Sequence, residues 1–96
     1  MSFSEDRIAA ATLANVSSSA SSVTLAAADT LRAGLWIFND SSAILYVKLG
    51  ATASTSSYSV QIAAGAFWEM PMRPLYTGIV DGIWASANGA ARMTKF

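Results

Sequence analysis

The chain has 96 residues, 53% of them hydrophobic and 12% charged, and its six basic residues balance six acidic ones. This length fits a single domain, and the charged fraction lies below the roughly 25% of an average globular protein. Because the sequence has no histidine and no cysteine, a Ser-His-Asp triad, a Cys-His pair, a thiolate metal site and disulfides are excluded. The scattered basic residues argue against nucleic acid as a partner.

The first 22 residues are predicted to form an N-terminal arm that ends in a serine-rich loop. Residues 17–22 read Ser-Ser-Ser-Ala-Ser-Ser, which is typical of a loop. Residues 8–13 are compatible with one or two helical turns, with a short strand, or with an extended arm lying on a neighbouring subunit. Glu5 and Asp6 lie where a signal peptide carries positive charge, so we expect mature sequence made in the cytoplasm. No run reaches the roughly 18 apolar residues of a membrane helix, and no membrane is expected as a partner.

Residues 23–96 are predicted to form one all-β domain, a small antiparallel β-sandwich or jelly-roll-like barrel of about seven or eight short strands. Runs of β-branched and aromatic residues recur along this part of the chain and are separated by Gly, Asn, Asp, Ser or Pro. The candidate strands are Ser22–Ala27, Gly34–Asn39, Ala43–Leu49, Tyr58–Ile62, Phe67–Met70, Gly78–Ala85 and Ala90–Lys95. The arm that precedes them is expected to be extended or partly flexible.

The alternation of side chains along two of these strands predicts which face of each strand lies in the core. Leu45, Val47 and Leu49 share one face of their strand, which is predicted to be the core because Lys48 lies on the other. The same period in the next strand predicts a core face made of Tyr58, Val60 and Ile62.

Two strands are apolar on both faces. Leu35 and Ile37, which are expected to face the core, alternate with Trp36 and Phe38, and Phe67 and Trp68 must also point to opposite faces. Such a strand in an antiparallel sheet has its outer face covered by other parts of the fold or by a partner. The candidate partner interface comprises Trp36, Phe38, Phe67, Trp68, Met70 and Met72.

Three polar segments predict turns. Asn88-Gly89 predicts a type I′ hairpin turn, in which both central residues have positive φ. Residues 39–42, Asn-Asp-Ser-Ser, predict the loop of a second hairpin within residues 37–50. Pro71 and Pro74 predict an exposed crossing between sheets, since proline does not fit a central strand.

The sequence shows no catalytic, cofactor-binding or metal-binding set. A Ser-Lys pair would need a buried lysine, whereas Lys48 and Lys95 fall at solvent-facing or terminal positions. The acids lack the spacing of a calcium loop or a glycosidase pair. Asp81 interrupts an apolar strand and is expected either on the wet face or hydrogen-bonded across the sheet. We therefore expect a non-enzymatic protein without a cofactor.

A series of short motifs runs through residues 32–50, 57–71 and 76–94. In order they are Arg-x-Gly, an apolar strand ending in Asn, Leu-Tyr-Val, an aromatic-rich strand before Pro, and Tyr-x-Gly before the last predicted hairpin. Together they resemble a module found in small virion proteins of tailed bacteriophages. The motifs consist of turn glycines and strand residues, so they indicate a type of fold more specifically than a biochemical function.

The resemblance implies a β-domain that decorates or cements a capsid, or that joins a fibre to the particle. The short loops and the N-terminal arm favour a capsid decoration or cement protein acting as a homo-oligomer, with a trimer as the favoured state. Its partners would be itself and the major capsid protein or another virion protein, and its location the capsid surface of a particle assembled in a bacterial host. The alternative is a tail- or fibre-associated adaptor or receptor- or carbohydrate-binding module that uses Trp36 or Trp68 as a stacking platform.

Overall fold

The structure, a computed structural model, describes residues 8–96. Within them the chain forms eight strands: β1 (Thr12–Ser17), β2 (Val23–Ala26), β3 (Leu35–Asp40), β4 (Leu45–Leu49), β5 (Val60–Ile62), β6 (Phe67–Glu69), β7 (Val80–Trp84) and β8 (Ala90–Lys95). They build two antiparallel four-stranded sheets, sheet A in the order β1-β8-β3-β6 and sheet B in the order β2-β7-β4-β5. The predicted all-β sandwich is confirmed.

The seven predicted strands correspond to β2 through β8, and β1 is an addition. Thr12–Ser17 pairs with β8 along its whole length, from Thr12 opposite Lys95 to Ser17 opposite Ala90. The described part of the predicted arm therefore contributes a strand at the edge of sheet A. Residues 1–7 of that arm lie outside the described residues.

One core lies between the two sheets. Leu35 and Ile37 of β3 and Leu45 and Val47 of β4 are each at most 1% exposed, which confirms the faces predicted for both strands. Tyr58 was wrongly predicted to be in the core: it precedes β5, is 38% exposed, and packs against Tyr46 with ring centroids 5.0 Å apart. The alternation that predicted it therefore applies to a strand that begins two residues later, at Val60.

Neither predicted hairpin is present. β3 lies in sheet A while β4 lies in sheet B, and β7 and β8 are divided in the same way. Gly89 has a φ of 75°, but Asn88 does not have a positive φ, so the type I′ turn is not formed. Among the described strands, the β4–β5 connection stays within a sheet and every other connection crosses between sheets. The crossing predicted at Pro71 and Pro74, between β6 and β7, is confirmed.

The two mispredicted turns are crossovers that pack against each other. The backbone N–H and the hydroxyl of Ser42 both donate to Asn88 Oδ1, at 2.7 and 2.9 Å. A Cβ atom on Gly89 would collide with the carbonyl of Asp40 and with Ser41. The Asn-Gly signal thus marks a tight bend, but one that brings two crossovers together instead of two strands.

Asn39, at 0% exposure, connects the sheets from the inside. Its Nδ2 donates to the carbonyls of Ala43 at 2.8 Å, Ile62 at 2.8 Å and Ala63 at 3.2 Å. Its Oδ1 accepts from Ser41 Oγ at 2.7 Å and from Trp84 Nε1 at 3.2 Å. A buried amide with this many partners fixes the end of β3 against strands of sheet B.

Arg32, 6% exposed, forms a second polar clamp at the other end of β3. Its Nη1 donates to the carbonyls of Tyr76 and Gly78 at 3.0 Å each, and its Nη2 donates to the carbonyl of Ala27 at 2.8 Å. The Arg-x-Gly and Tyr-x-Gly motifs of the sequence therefore contact each other. The rigid fork of a guanidinium suits a set of carbonyls that lie in different loops.

Candidate partner-binding surface

The outer side of sheet A carries a group of exposed or half-buried apolar side chains, here called the aromatic face. It consists of Leu13 on β1, Trp36 and Phe38 on β3, Phe67 on β6 and Phe96 directly after β8. Leu13 is 76% exposed, Phe67 57%, Trp36 40% and Phe38 38%. The alternation that buries Leu35 and Ile37 forces their neighbours Trp36 and Phe38 outward.

Strand register brings these side chains together in two rows across sheet A. In one row Phe38 lies between Phe67 on β6 and Arg92 on β8, and Asn15 on β1 follows Arg92. In the other, Trp36 lies between Glu69 and Thr94, and Leu13 follows Thr94. Residues from all four strands of sheet A therefore form the surface.

Trp36 is held between two phenylalanine rings. Its ring centroid lies 5.7 Å from that of Phe67 and 4.7 Å from that of Phe96, with interplanar angles of 73° and 72°. Edge-to-face pairs of this kind contribute about 0.5–1.5 kcal/mol beyond simple burial. The three rings therefore hold one another in fixed orientations. Because neighbouring rings meet at steep angles, the surface is ridged, whereas a sugar ring stacks on a flat aromatic surface.

Polar groups border the aromatic rings. Arg92 Nε donates to Asp40 Oδ2 at 2.9 Å, with the two side chains 52% and 48% exposed. With the amide of Asn15 oriented so that its oxygen faces Arg92, Arg92 Nη1 donates to that oxygen at 3.3 Å. Glu69 is exposed at the β6 edge. An apolar centre with a polar rim is the usual anatomy of a protein–protein interface.

The structure brings together three of the six predicted interface residues, Trp36, Phe38 and Phe67. Trp68 points to the opposite side of β6 and is half-buried against the core. Met70 was wrongly predicted: it is 1% exposed and belongs to the core, because alternation from Trp68 directs it inward. Met72 is 55% exposed but lies in the crossover after β6, outside the strands of both sheets.

Sequence reasoning missed Leu13, Phe96 and the Arg92–Asp40 pair. Phe96 could have been found, because it shares the parity of Arg92 and Thr94 in the last strand. Leu13 could not, because its place on the face depends on the pairing of β1 with β8.

The outer side of sheet B has a different character, because two of its long polar side chains are paired within the chain. Lys48 Nζ donates to Thr52 O at 3.2 Å and to Ser57 Oγ at 2.9 Å, and Gln61 Nε2 donates to the Tyr58 hydroxyl at 2.7 Å. These contacts give Lys48 a structural role in holding the β4–β5 connection.

Asp81 lies on the outer side of β7, opposite Thr24 on β2 and Lys48 on β4. It is nevertheless 6% exposed, and its Oδ1 has no hydrogen-bond partner among residues 8–96. Neither predicted environment, a wet face or a hydrogen bond across the sheet, describes this oxygen. An unpaired buried acceptor costs stability.

An open groove of about 500 Å³ lies at one end of the sandwich, between the β6–β7 crossover and the end of β4. Its lining is almost entirely apolar and consists of Leu49, Met70, Pro71, Pro74, Leu75, Tyr76, Thr77 and Gly78. None of these side chains is a charged group or a strong nucleophile, so the groove offers shape and apolar surface.

In the described part of the chain, no three acidic, histidine or cysteine side chains lie close enough together to hold a metal ion. These residues also include no helix with the length and apolarity required to cross a bilayer. Comparisons with protein-family models, with curated proteins and with solved structures found no match. The aromatic face is thus the feature of the described surface that best fits the binding of another molecule.

Proposed function

We propose that this chain is a non-enzymatic structural protein of a tailed-bacteriophage virion, a capsid decoration or cement protein that attaches through its aromatic face. The observation that carries the proposal is the cluster of Trp36, Phe38 and Phe67 exposed together on one side of sheet A. Soluble monomers rarely leave a contiguous apolar patch of this kind uncovered, and such patches mark contacts with partners.

The composition of the aromatic face supports a protein partner. Tryptophan and phenylalanine are enriched at the buried centres of protein interfaces, and a few such anchors supply most of the binding energy. The rings of Trp36, Phe67 and Phe96 already pack on each other, so little side-chain entropy remains to be lost on binding. The partner in this proposal is the major capsid protein or another virion protein, and the protein acts at the capsid surface as a homo-oligomer.

The motifs that resemble phage virion proteins support a scaffold role. Arg32, Asn39 and the Tyr76–Gly78 segment make buried contacts that hold the two sheets and their loops. These motif residues therefore maintain the fold and are not available to contact a partner. The exposed side of sheet A remains as the surface that can differ between proteins with different partners.

The test uses capsids of the encoding phage assembled without this protein. Purified protein is mixed with these capsids, co-sedimentation measures binding, and the temperature of capsid disruption measures stabilisation. The double variant Trp36→Ala with Phe67→Ala should bind at least about 100-fold more weakly, since interface anchors contribute 2 kcal/mol or more each. Met72→Ala is the matched control, because Met72 is 55% exposed but outside the aromatic face, and it should bind like the parent protein.

Two results would overturn the proposal: no binding of the parent protein to such capsids, or undiminished binding of the folded double variant. Circular dichroism melting establishes that the variants are folded. The tail-associated alternative predicts binding to host cells or glycans that depends on Trp36, and the same variants measure it. The 72–73° angles at which Trp36 meets its neighbours disfavour sugar stacking.

A further inference from the structure

The sandwich has four edge strands, β1 and β6 in sheet A and β2 and β5 in sheet B. Three of them are poor templates for pairing with another chain. β5 and β6 have three residues each, and β2 has four residues with a register shift between Thr24 and Ala26. Short or bulged edges are the devices by which soluble proteins prevent edge-to-edge association.

β1 has none of these devices. It has six residues, Thr-Leu-Ala-Asn-Val-Ser, with neither a charge nor a proline. Its register with β8 is continuous from one end to the other. Within residues 8–96, no strand lies on its other side. An edge of this length and regularity is a template for a further strand.

The pairing of β1 with β8 determines which of its backbone groups face outward. Just beyond β1, the N–H of Ser18 donates to Gly89 O at 3.0 Å. Because backbone groups alternate in direction along a strand, those of Thr12, Ala14 and Val16 point to β8. The N–H and C=O groups of the other residues point to the open edge, and these residues are Leu13, Asn15 and Ser17.

We propose that β1 pairs antiparallel with β1 of a second copy of this chain, about a two-fold axis at Asn15. The outward-facing residues lie symmetrically about Asn15, so Leu13 of each copy meets Ser17 of the other, and the two Asn15 residues face each other. Each directly opposed pair exchanges two backbone hydrogen bonds, giving six bonds in total across the contact. A two-fold contact of one surface with itself closes as a dimer and does not propagate.

The dimer has a defined surface. Pairing joins the two copies of sheet A into one continuous sheet of eight strands, with both outer faces on the same side. Leu13, 76% exposed in the single copy, then lies at the seam between the two aromatic faces. The state is a dimer instead of the trimer that the sequence resemblance favours. It rests on the β1 edge alone and does not depend on the proposed attachment to a capsid.

The first test is the molar mass of the purified chain, measured by light scattering after gel filtration over a range of concentrations. The expected value approaches about 20 kDa, twice the 10.0 kDa of one chain. Two variants address the contact. Asn15→Pro removes an outward N–H and leaves the bonds to β8 in place. Asn15→Lys places two like charges opposite each other at the axis. Both should raise the dissociation constant at least about tenfold, which corresponds to 1.4 kcal/mol.

Gln61→Lys is the matched control, because Gln61 is the exposed central residue of another edge strand, β5. It should leave the dimer intact, as should Trp36→Ala with Phe67→Ala on the aromatic face. Hydrogen exchange gives a readout that needs no variant: the amides of Leu13, Asn15 and Ser17 should gain protection as the dimer forms, while that of Val16 is protected in both states.

A chain that stays monomeric at every concentration overturns the proposal. So does an oligomer whose mass and outward-amide exchange are unchanged in Asn15→Pro and Asn15→Lys. Failure of capsid binding bears on the proposed function and leaves the measured mass untouched, so the two failures are distinguishable.

Discussion

Replacing Asn39 by aspartate exchanges one amide nitrogen for an oxygen and leaves the shape of the side chain nearly unchanged. The nitrogen that is lost donates to three carbonyls, at 2.8, 2.8 and 3.2 Å. The site is fully buried, so a carboxylate placed there would face carbonyl oxygens without access to water. We expect the introduced carboxyl group to remain protonated in the folded protein, with its pKa raised by burial and by the facing oxygens.

Two contributions determine how much Asn39→Asp lowers the free energy of unfolding. The amide has two N–H donors and the protonated carboxyl has one O–H donor, so the loss of one donor beside three carbonyls costs about 1–2 kcal/mol. Keeping a carboxyl of ordinary pKa near 3.9 protonated at pH 7 costs about 4 kcal/mol, at 1.36 kcal/mol per unit. The expected loss at pH 7 is therefore about 5–6 kcal/mol, which is comparable to the whole stability of a small domain.

The pH dependence is the distinctive result. Because the folded state of Asn39→Asp holds a proton that the unfolded state releases above a pH of about 3.9, its stability should rise as the pH falls. Between pH 7 and pH 5 the deficit relative to the parent protein should shrink by about 2.7 kcal/mol. Below pH 4 both states are protonated and the gain ends.

Urea unfolding followed by tryptophan fluorescence at pH 5, 6 and 7 measures this difference. Asn88→Asp is the control: Asn88 Oδ1 is the acceptor for both groups of Ser42, and a carboxylate accepts equally well, so a change within about 0.5 kcal/mol is expected. A loss below about 1 kcal/mol in Asn39→Asp, or a deficit that is independent of pH, would refute the role assigned to the Asn39 amide.

Three further substitutions test individual contacts by the same unfolding assay. Gly89→Ala should lower the free energy of unfolding by at least about 1 kcal/mol more than Gly65→Ala does. Both glycines have positive φ, but an added Cβ meets close neighbours at Gly89 and nothing within 4 Å at Gly65. Equal losses of stability would contradict the packing of the two crossovers against each other. Arg32→Lys should lower the free energy of unfolding by about 2–3 kcal/mol, because an ammonium group cannot reach three carbonyls in different loops. Arg92→Lys, at the exposed ion pair, is the control and should lower it by less than about 0.5 kcal/mol. Asp81→Ala should raise the free energy of unfolding by about 1 kcal/mol, because it removes a buried oxygen that has no hydrogen-bond partner among residues 8–96; a clear loss would reveal a partner for that oxygen.

Alternation along single strands was enough to predict much of the fold and part of the candidate surface. It placed Leu35 and Ile37 in the core and Trp36 and Phe38 outside, because the direction of a side chain in a strand depends on backbone geometry alone. Met70 was within reach of the same reasoning, since it shares the parity of Trp68.

Which sheet a strand joins could not be predicted in this way. A polar turn between two apolar runs has the same sequence signature whether the chain folds back beside itself or crosses to the opposite sheet, as at Asn88-Gly89. The partners of Arg32 and Asn39 were equally inaccessible, because they lie up to 46 and 45 residues away along the chain. A short strand was one of the alternatives left open for residues 8–13, but the sequence did not select it over the others because Ala14 and Asn15 have weak strand propensity, which pairing with β8 overrides.

The position of β8 in sheet A bears on how the protein is made. This strand follows the other seven along the sequence, yet it lies between β1 and β3. A nascent chain that has not yet reached residues 90–95 can assemble sheet B, but β1 and β3 remain apart and Met93 is missing from the core. Such long-range closure is expected to be slow and to follow synthesis of the whole domain. A prematurely terminated chain would therefore lack the assembled aromatic face, because β8 joins the strands that carry it.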